Sequence, residues 1–255
     1  MKTAVSAIIK RQTDLPFGFC KWDILADRLL DCRAKSRIPE NAKTAIVFLF
    51  PYKVRQEKPK NISRYAAVPD YHSVCGKILE EIKSALFSEF PENRFEAFID
   101  NSPVPEVLAA SAAGLGKIGK NGLLISERFG SYVFIGEIVT DLQVSAECEP
   151  TRCADCGACA AVCPVGLKKE ECLSAATQQK KPLSPELEEL IIKSGCVWGC
   201  DICQDVCPLN KKAEFSSIPE FLDGYRDEYI IGENIEGRAY AWRGEGVISR
   251  NARLF

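Results

Sequence analysis

Apolar and polar positions along the first 145 residues alternate between two periods. TAIVFLF (44–50) is an unbroken apolar run closed by Pro51, the signature of a buried strand, and RFEAFID (94–100) and SYVFIGEIVTDL (131–142) predict two more strands. Between them, WDILADRLLDC (22–32), VCGKILEEIKSALF (74–87) and PEVLAASAAG (105–114) carry helical apolar spacing, the last with Asn101 or Ser102 as its expected cap. Such alternation predicts an α/β domain over residues 1–145, a sheet with helices on its faces. The pattern then changes character. Residues 146–215 are rich in cysteine and predict a second, α+β domain, and residues 216–255 are expected to form a tail packing back on the core.

Seven of the thirteen cysteines form two runs, Cys153-x2-Cys156-x2-Cys159-x3-Cys163-Pro164 and Cys200-x2-Cys203-x3-Cys207-Pro208. This is the spacing of proteins holding two [4Fe-4S] clusters in a ferredoxin-like domain, where the cysteine before the proline crosses to the other cluster. Crossing assigns Cys153, Cys156, Cys159 and Cys207 to the first cluster, and Cys163, Cys200 and Cys203 to the second. The eighth ligand is Cys172 or Cys196; Cys172, at an expected helix start, is favoured. Zinc also takes four cysteines, but its ribbons use paired knuckles without the x3-Cys-Pro extension. Cys20, Cys32, Cys75 and Cys148 are expected to act as small core hydrophobes.

Composition narrows the class further. A 46% hydrophobic content over 255 residues permits a sizeable core, and a net charge of −2 provides no global basic field for nucleic acid or membrane. The apolar stretch in MKTAVSAIIKRQTDLPFG is too short for a signal-peptide core or a membrane span, so a cytoplasmic protein with reduced thiols, no membrane partner and a monomeric state is expected.

Three further features carry candidate chemistry. GLGKIGKN (114–121) matches a dinucleotide fingerprint by letters and nearly matches a P-loop, with Asn121 at the magnesium-binding position. Both motifs need a strand before and a helix after, and here that order is reversed. A glycine-rich turn and a backbone cradle for a flat or anionic ligand, flanked by Lys117 and Lys120, remain open. His72 is the only histidine, one residue out of register with the Asp-x-His-x2-Gly cobalt-ligating motif, and reads as a capping or surface residue. Asp100 ends a strand, where ligands gather in α/β sheets; it is either a helix-capping carboxylate or a proton donor.

Taken together, RYAAVPDYHSV (64–74), FIDNSPVPEVLAASAAGLGKIGKNGLLIS (98–126), RFGSYVFIGEIVTDL (128–142) and the cysteine runs resemble the epoxyqueuosine reductase family, cobalamin-dependent iron-sulfur proteins related to reductive dehalogenases. The resemblance implies a cobalamin-binding α/β domain and a double-cluster domain that passes electrons to cobalt from a ferredoxin or flavodoxin-type donor. It implies Asp100 as the proton donor, with Ile99 replacing the valine of the family's Val-Asp-x-x-Pro-Val segment, and Cys172 as the eighth cluster ligand. It also implies that Arg64, Tyr65, Asp70, Tyr71, His72, Gly116, Lys117, Gly119, Lys120 and Asn121 lie in cobalamin-lining stretches, with no histidine on cobalt. Family members continue into a helical-repeat domain that grips tRNA, whereas this sequence stops near where those repeats begin. Arg238, Trp242, Arg243, Arg250 and Arg253 are candidates for tRNA contact, or else a solvated tail. A cobalamin-free double-cluster electron carrier and a dehalogenase-like enzyme acting on a small molecule are the alternative functions.

Overall fold

The computed structural model describes residues 1–55 and 58–255. The chain divides into two compact units, each assembled from separated segments. The first comprises Met1–Phe50, His72–Glu127 and Val133–Ala154; the second comprises Pro51–Tyr71, Arg128–Tyr132 and Asp155–Phe255.

The first unit is built on a four-stranded sheet of order β1-β2-β6-β3, from β1 (Phe17–Lys21), β2 (Thr44–Pro51), β3 (Phe95–Ile99) and β6 (Val133–Thr140). β1 pairs antiparallel with β2, and β3 antiparallel with β6, placing Phe98 opposite Glu137. Every residue of β2 is buried, as its unbroken apolar run predicts. A small sheet of order β5-β4-β7 joins β4 (Lys117–Ile118), β5 (Leu124–Ile125) and β7 (Thr151–Arg152). Helices α1 (Lys2–Gln12), most of α3 (Tyr71–Glu89) and α4 (Glu106–Ala112) complete this unit. α4 packs on β1, where Gly18 is required: a β-carbon there would collide with the carbonyl oxygen of Ala113.

The helix expected over 22–32 does not form. The segment makes single 3-10 turns, Trp22–Ile24 and Ala26–Arg28, closed by Leu25 N–H to Trp22 O and Arg28 N–H to Leu25 O. Two such turns already bury Trp22 and Leu25, and no side chain caps a longer helix.

The second unit contains α2 (Arg64–Ala67), α5 (Ala158–Val162), α6 (Leu173–Gln178), α7 (Pro185–Ser194), α8 (Ile202–Asp205), α9 (Pro219–Asp223) and α10 (Glu245–Ala252). Its core is aromatic. Trp198 and Tyr240 are fully buried with ring centroids 5.9 Å apart, and Tyr229 meets Tyr240 edge-on at 5.8 Å. No helix among the described residues is long and apolar enough to cross a membrane.

Candidate active site and cluster ligands

Asp100 follows β3 in an unusual backbone conformation. Its φ is 47° and that of Asn101 is 35°, left-handed values that cost L-residues energy and persist only where surroundings enforce them. Asp100 Oδ1 accepts the N–H of Asn101 at 2.8 Å, and Asp100 Oδ2 lies 3.2 Å from His72 Nε2. Their side chains are 54% and 38% exposed, so the pair is open to an incoming molecule. Neither Asp100 nor Ser102 caps α4. The N-cap of that helix is Pro105 without a side-chain bond, and Ser102 Oγ accepts the N–H of Val104 instead.

Two carboxyls lie behind this loop. Glu106 opens α4, and Glu137 sits on β6 with its whole side chain buried. Desolvation, with the charge of Asp100 adding to it, pushes Glu106 up to about 8. Burial, then the neighbouring Glu106, holds Glu137 well above the usual carboxylate range. Sequence reading passed over both. A single acid inside the apolar strand VFIGEIVT was the available signal, since a glutamate is rarely buried without a reason.

The GLGKIGKN segment forms a hairpin after α4, confirming that a helix precedes the glycines. At Gly116 a β-carbon would lie 2.6 Å from Ile125 O, and at Gly119 it would collide with Asn121 Oδ1. Asn121 Oδ1 also accepts the N–H of Leu123 at 3.3 Å, so these residues have structural duties in the turn. Lys117 and Lys120 are exposed. Cys20 and Cys75 are buried as expected, but Cys148 is exposed and Cys32 only half-buried. Cys148 instead packs against a bare glycine: a β-carbon on Gly114 would lie 2.8 Å from its sulfur.

In the second unit, Arg64 is drawn into a buried polar network. Its guanidinium contacts Asp201 Oδ2 at 3.3 Å and Asp205 Oδ1, stacks 5.2 Å from the Tyr132 ring, and its backbone N–H reaches Asp201 Oδ2 at 2.8 Å. Asp201 stands between Cys200 and Cys203; burial raises its pKa, and the Arg64 backbone and side chain oppose that shift. Only the cysteines of that run carried a signal in the sequence. Tyr65 Oη accepts from Gln178 Nε2 at 3.1 Å, and the Asp70 N–H donates to Gly237 O at 2.8 Å.

The two cysteine runs fold alike. α5 and α8 pack together, and each is followed by a cysteine in nearly the same extended conformation, Cys163 at φ −67°, ψ 121° and Cys207 at φ −65°, ψ 121°. The following prolines impose this geometry by barring the helical region. A backbone N–H, that of Leu167, points at Cys163 Sγ from 3.2 Å. Cys172 is the N-cap of α6, the expected helix start. The Cys196 thiol donates to Trp198 O at 3.1 Å, and burial pushes it up to about 12, as it pushes the Cys200 thiol up to about 11.

Of the basic residues expected in a tail, two are internal braces. Arg238 is 3% exposed and donates to Gly224 O, Ala66 O and Ala67 O. Arg250 donates to Gln179 O and Lys181 O. Trp242 stays 57% exposed, with the Arg243 guanidinium 3.7 Å from its ring centroid.

Residues 33–101 match a family described as epoxyqueuosine reductase QueG, DUF1730, and residues 152–210 match a 4Fe-4S double cluster binding domain. An epoxyqueuosine reductase of Gloeobacter violaceus is 38% identical over 197 residues, covering 70% of this chain and 61% of the relative. One from Lactococcus garvieae is 32% identical, covering 87% of this chain and 71% of the relative. The chain thus spans about six-tenths to seven-tenths of the length of these curated relatives. The structure of epoxyqueuosine reductase from Streptococcus thermophilus superposes with a TM-score of 0.83 at 25% identity, covering 100% of this chain and 80% of that one. A catabolic reductive dehalogenase shares the fold at a TM-score of 0.51 and 16% identity, covering 98% of this chain and 36% of that one. The double-cluster domain supports two [4Fe-4S] clusters as cofactors. On sequence and fold together, this chain belongs to the epoxyqueuosine reductase family.

Proposed function

We propose that the chain is an iron-sulfur and cobalamin-dependent reductase that converts the epoxide of epoxyqueuosine in tRNA to an alkene. The observation that carries this reading is the contact of His72, from α3, with Asp100, which stands with Asn101 in a left-handed conformation at the carboxyl end of β3, within a chain of this family. One fold relative, 24% identical, was solved with an epoxyqueuosine-modified tRNA-Tyr stem loop. Another, from Bacillus subtilis at 23% identity, was captured with its catalytic aspartate loop swung out of the active site.

Removing an epoxide oxygen as water takes two electrons and two protons. Cobalamin, when bound, would supply the strongly reducing centre, and clusters held by the two cysteine runs would supply its electrons from a ferredoxin or flavodoxin-type donor. The protein's part is to position and protonate. Asp100 gives its carboxyl proton to the departing oxygen, with His72 holding the carboxyl in orientation through the 3.2 Å contact. The stretches 64–72 and 116–121 are assigned to cobalamin binding. Cys153, Cys156, Cys159 and Cys207 are assigned to one cluster, and Cys163, Cys172, Cys200 and Cys203 to the other. The Cys196 thiol hydrogen bond to Trp198 O supports that choice of eighth ligand. Exposed Trp242 and the half-buried Arg243 stacked on it are assigned to tRNA.

Asp100→Asn, purified anaerobically after cobalamin supply, is expected to keep its iron and cobalamin while losing about 10²- to 10⁴-fold in turnover of epoxyqueuosine tRNA. Full activity in this variant rejects Asp100 as the donor. Wild-type protein holding its iron but showing no affinity for cobalamin would replace the enzyme reading with an electron carrier.

A further inference from the structure

The second cysteine run is seated in a buried polar network that the chemistry assigned so far does not use. Residues 61–64 run beside it. Val197 N–H donates to Asn61 O at 2.6 Å, Ser63 N–H to Trp198 O at 2.9 Å, and Arg64 N–H to Asp201 Oδ2 at 2.8 Å. Asp201 stands between Cys200 and Cys203 with its side chain only 3% exposed, and Arg64 Nη1 reaches the same Oδ2 at 3.3 Å. From the other side, Gln204 Nε2 donates to Asp201 Oδ1 at 3.0 Å. Gln204 is itself held, because its Oε1 accepts from Tyr52 Oη at 3.2 Å and from Ser131 Oγ at 2.9 Å. Arg64 Nη1 also reaches Asp205 Oδ1, and Lys58 Nζ meets Asp205 Oδ2 at 2.6 Å. A carboxylate and a guanidinium are therefore fixed, from several directions, against the run that carries Cys200 and Cys203.

Stability alone does not call for charge at this place. A neutral oxygen would accept the Arg64 N–H, and a buried ion pair adds little over well-packed apolar residues of the same size. The potential of an iron-sulfur cluster, by contrast, responds to nearby charge, hydrogen bonds and solvent.

We propose that Asp201 and Arg64 form a fixed charge pair that sets the reduction potential of the cluster held by Cys163, Cys172, Cys200 and Cys203, Asp201 lowering it and Arg64 offsetting the drop. Reduction adds one electron to a group already surrounded by four thiolates, so the carboxylate opposes it and the guanidinium favours it. The two signs follow from the charges and from nothing else. Asp201 follows Cys200 directly in the chain and is shielded from water, so its charge is weakly screened. Asp205 is 30% exposed and shared with Lys58, so it acts more weakly. One electron enters from the ferredoxin or flavodoxin-type donor and one leaves; the lower the potential, the stronger the reductant that the reduced cluster becomes. Both residues act through the cluster, and the inference rests on those four cysteines being its ligands.

The test is an anaerobic redox titration of holoprotein followed by electron paramagnetic resonance, with iron counted in every sample. Wild type is compared with Asp201→Asn, Arg64→Gln, Asp205→Asn and Cys200→Ala. Unit charges about 10 Å apart at an effective dielectric of about 20 shift an equilibrium by about tenfold. Asp201→Asn is therefore expected to make one of the two clusters easier to reduce by about tenfold, ~59 mV for one electron. Arg64→Gln should move the same cluster the opposite way, and Asp205→Asn should follow Asp201→Asn by a smaller step. A purely structural clamp, broken from either side, would move Asp201→Asn and Arg64→Gln alike or only lower their iron. Should one of the two lose its iron, the sign in the other and in Asp205→Asn still decides. Unmoved potentials, or shifts of one sign in Asp201→Asn and Arg64→Gln, overturn the charge pair. Cys200→Ala should lose roughly half of the eight irons. If it does so while Asp201→Asn leaves both potentials unmoved, the charge pair fails and the ligand assignment stands. Full iron in Cys200→Ala rejects the ligand assignment and the charge pair with it.

Discussion

Replacing Arg238 by methionine tests whether the segment carrying Arg64 and Tyr65 is held by the guanidinium. Arg238 donates to Gly224 O at 2.7 Å, Ala66 O at 3.2 Å and Ala67 O at 2.6 Å, from a site only 3% exposed. Two of these acceptors end the single turn of α2, whose carbonyls have no partner within so short a helix. Methionine preserves much of the aliphatic stem and removes all three bonds, leaving Ala67 O with only the Arg226 N–H. At about 1–1.5 kcal/mol for each bond, the loss is roughly 3–5 kcal/mol. For a body of this size each kcal/mol moves the midpoint by about 2–4 °C, so the transition should fall by roughly 10 °C. The assay is thermal unfolding of anaerobic holoprotein followed by circular dichroism, with cobalamin retention measured alongside. Retention should also fall, because Asp70 N–H is tied to Gly237 O beside the same brace. Arg238→Lys, which keeps the charge but not the planar fork, should fall between the two. A shift under about 2 °C in Arg238→Met would refute the brace, since it would mean that the three bonds are worth less than one ordinary hydrogen bond.

Cys172→Ser should lose roughly half of the eight irons, whereas Cys196→Ser should keep them; iron analysis after anaerobic purification decides, and the reverse result moves the eighth ligand to Cys196. Gly199→Ala should destabilise the protein by about 1–3 kcal/mol and lower iron occupancy, because Gly199 has φ 80° and a β-carbon there would collide with Ser63 Oγ immediately before Cys200.

What was legible in the sequence follows from where each interaction's partners lie along the chain. The cysteine runs, the helix start at Cys172 and the all-buried β2 are local patterns, and the structure forms each of them. The helical spacing of 22–32 is also local, but it cannot separate one helix from two tight turns that bury only Trp22 and Leu25. Arg238 misled for the opposite reason. It stands among other basic residues in a stretch that reads as solvated, while the carbonyls at Ala66 and Ala67 that bury it lie some 170 positions away. Asp100 stands out in the sequence through its place at a strand end, whereas Glu106 and Glu137 do not. Glu106 looked like an ordinary acid in the first turn of a helix, where negative charge is welcome, and Glu137 became visible only as an anomaly within its strand. Such buried acids break the local agreement between pattern and burial, and a sequence maintains that conflict where the charge or proton has work to do. The mismatch at Glu137 was thus the most informative polar position in the apolar pattern, and it points to the same loop as Asp100.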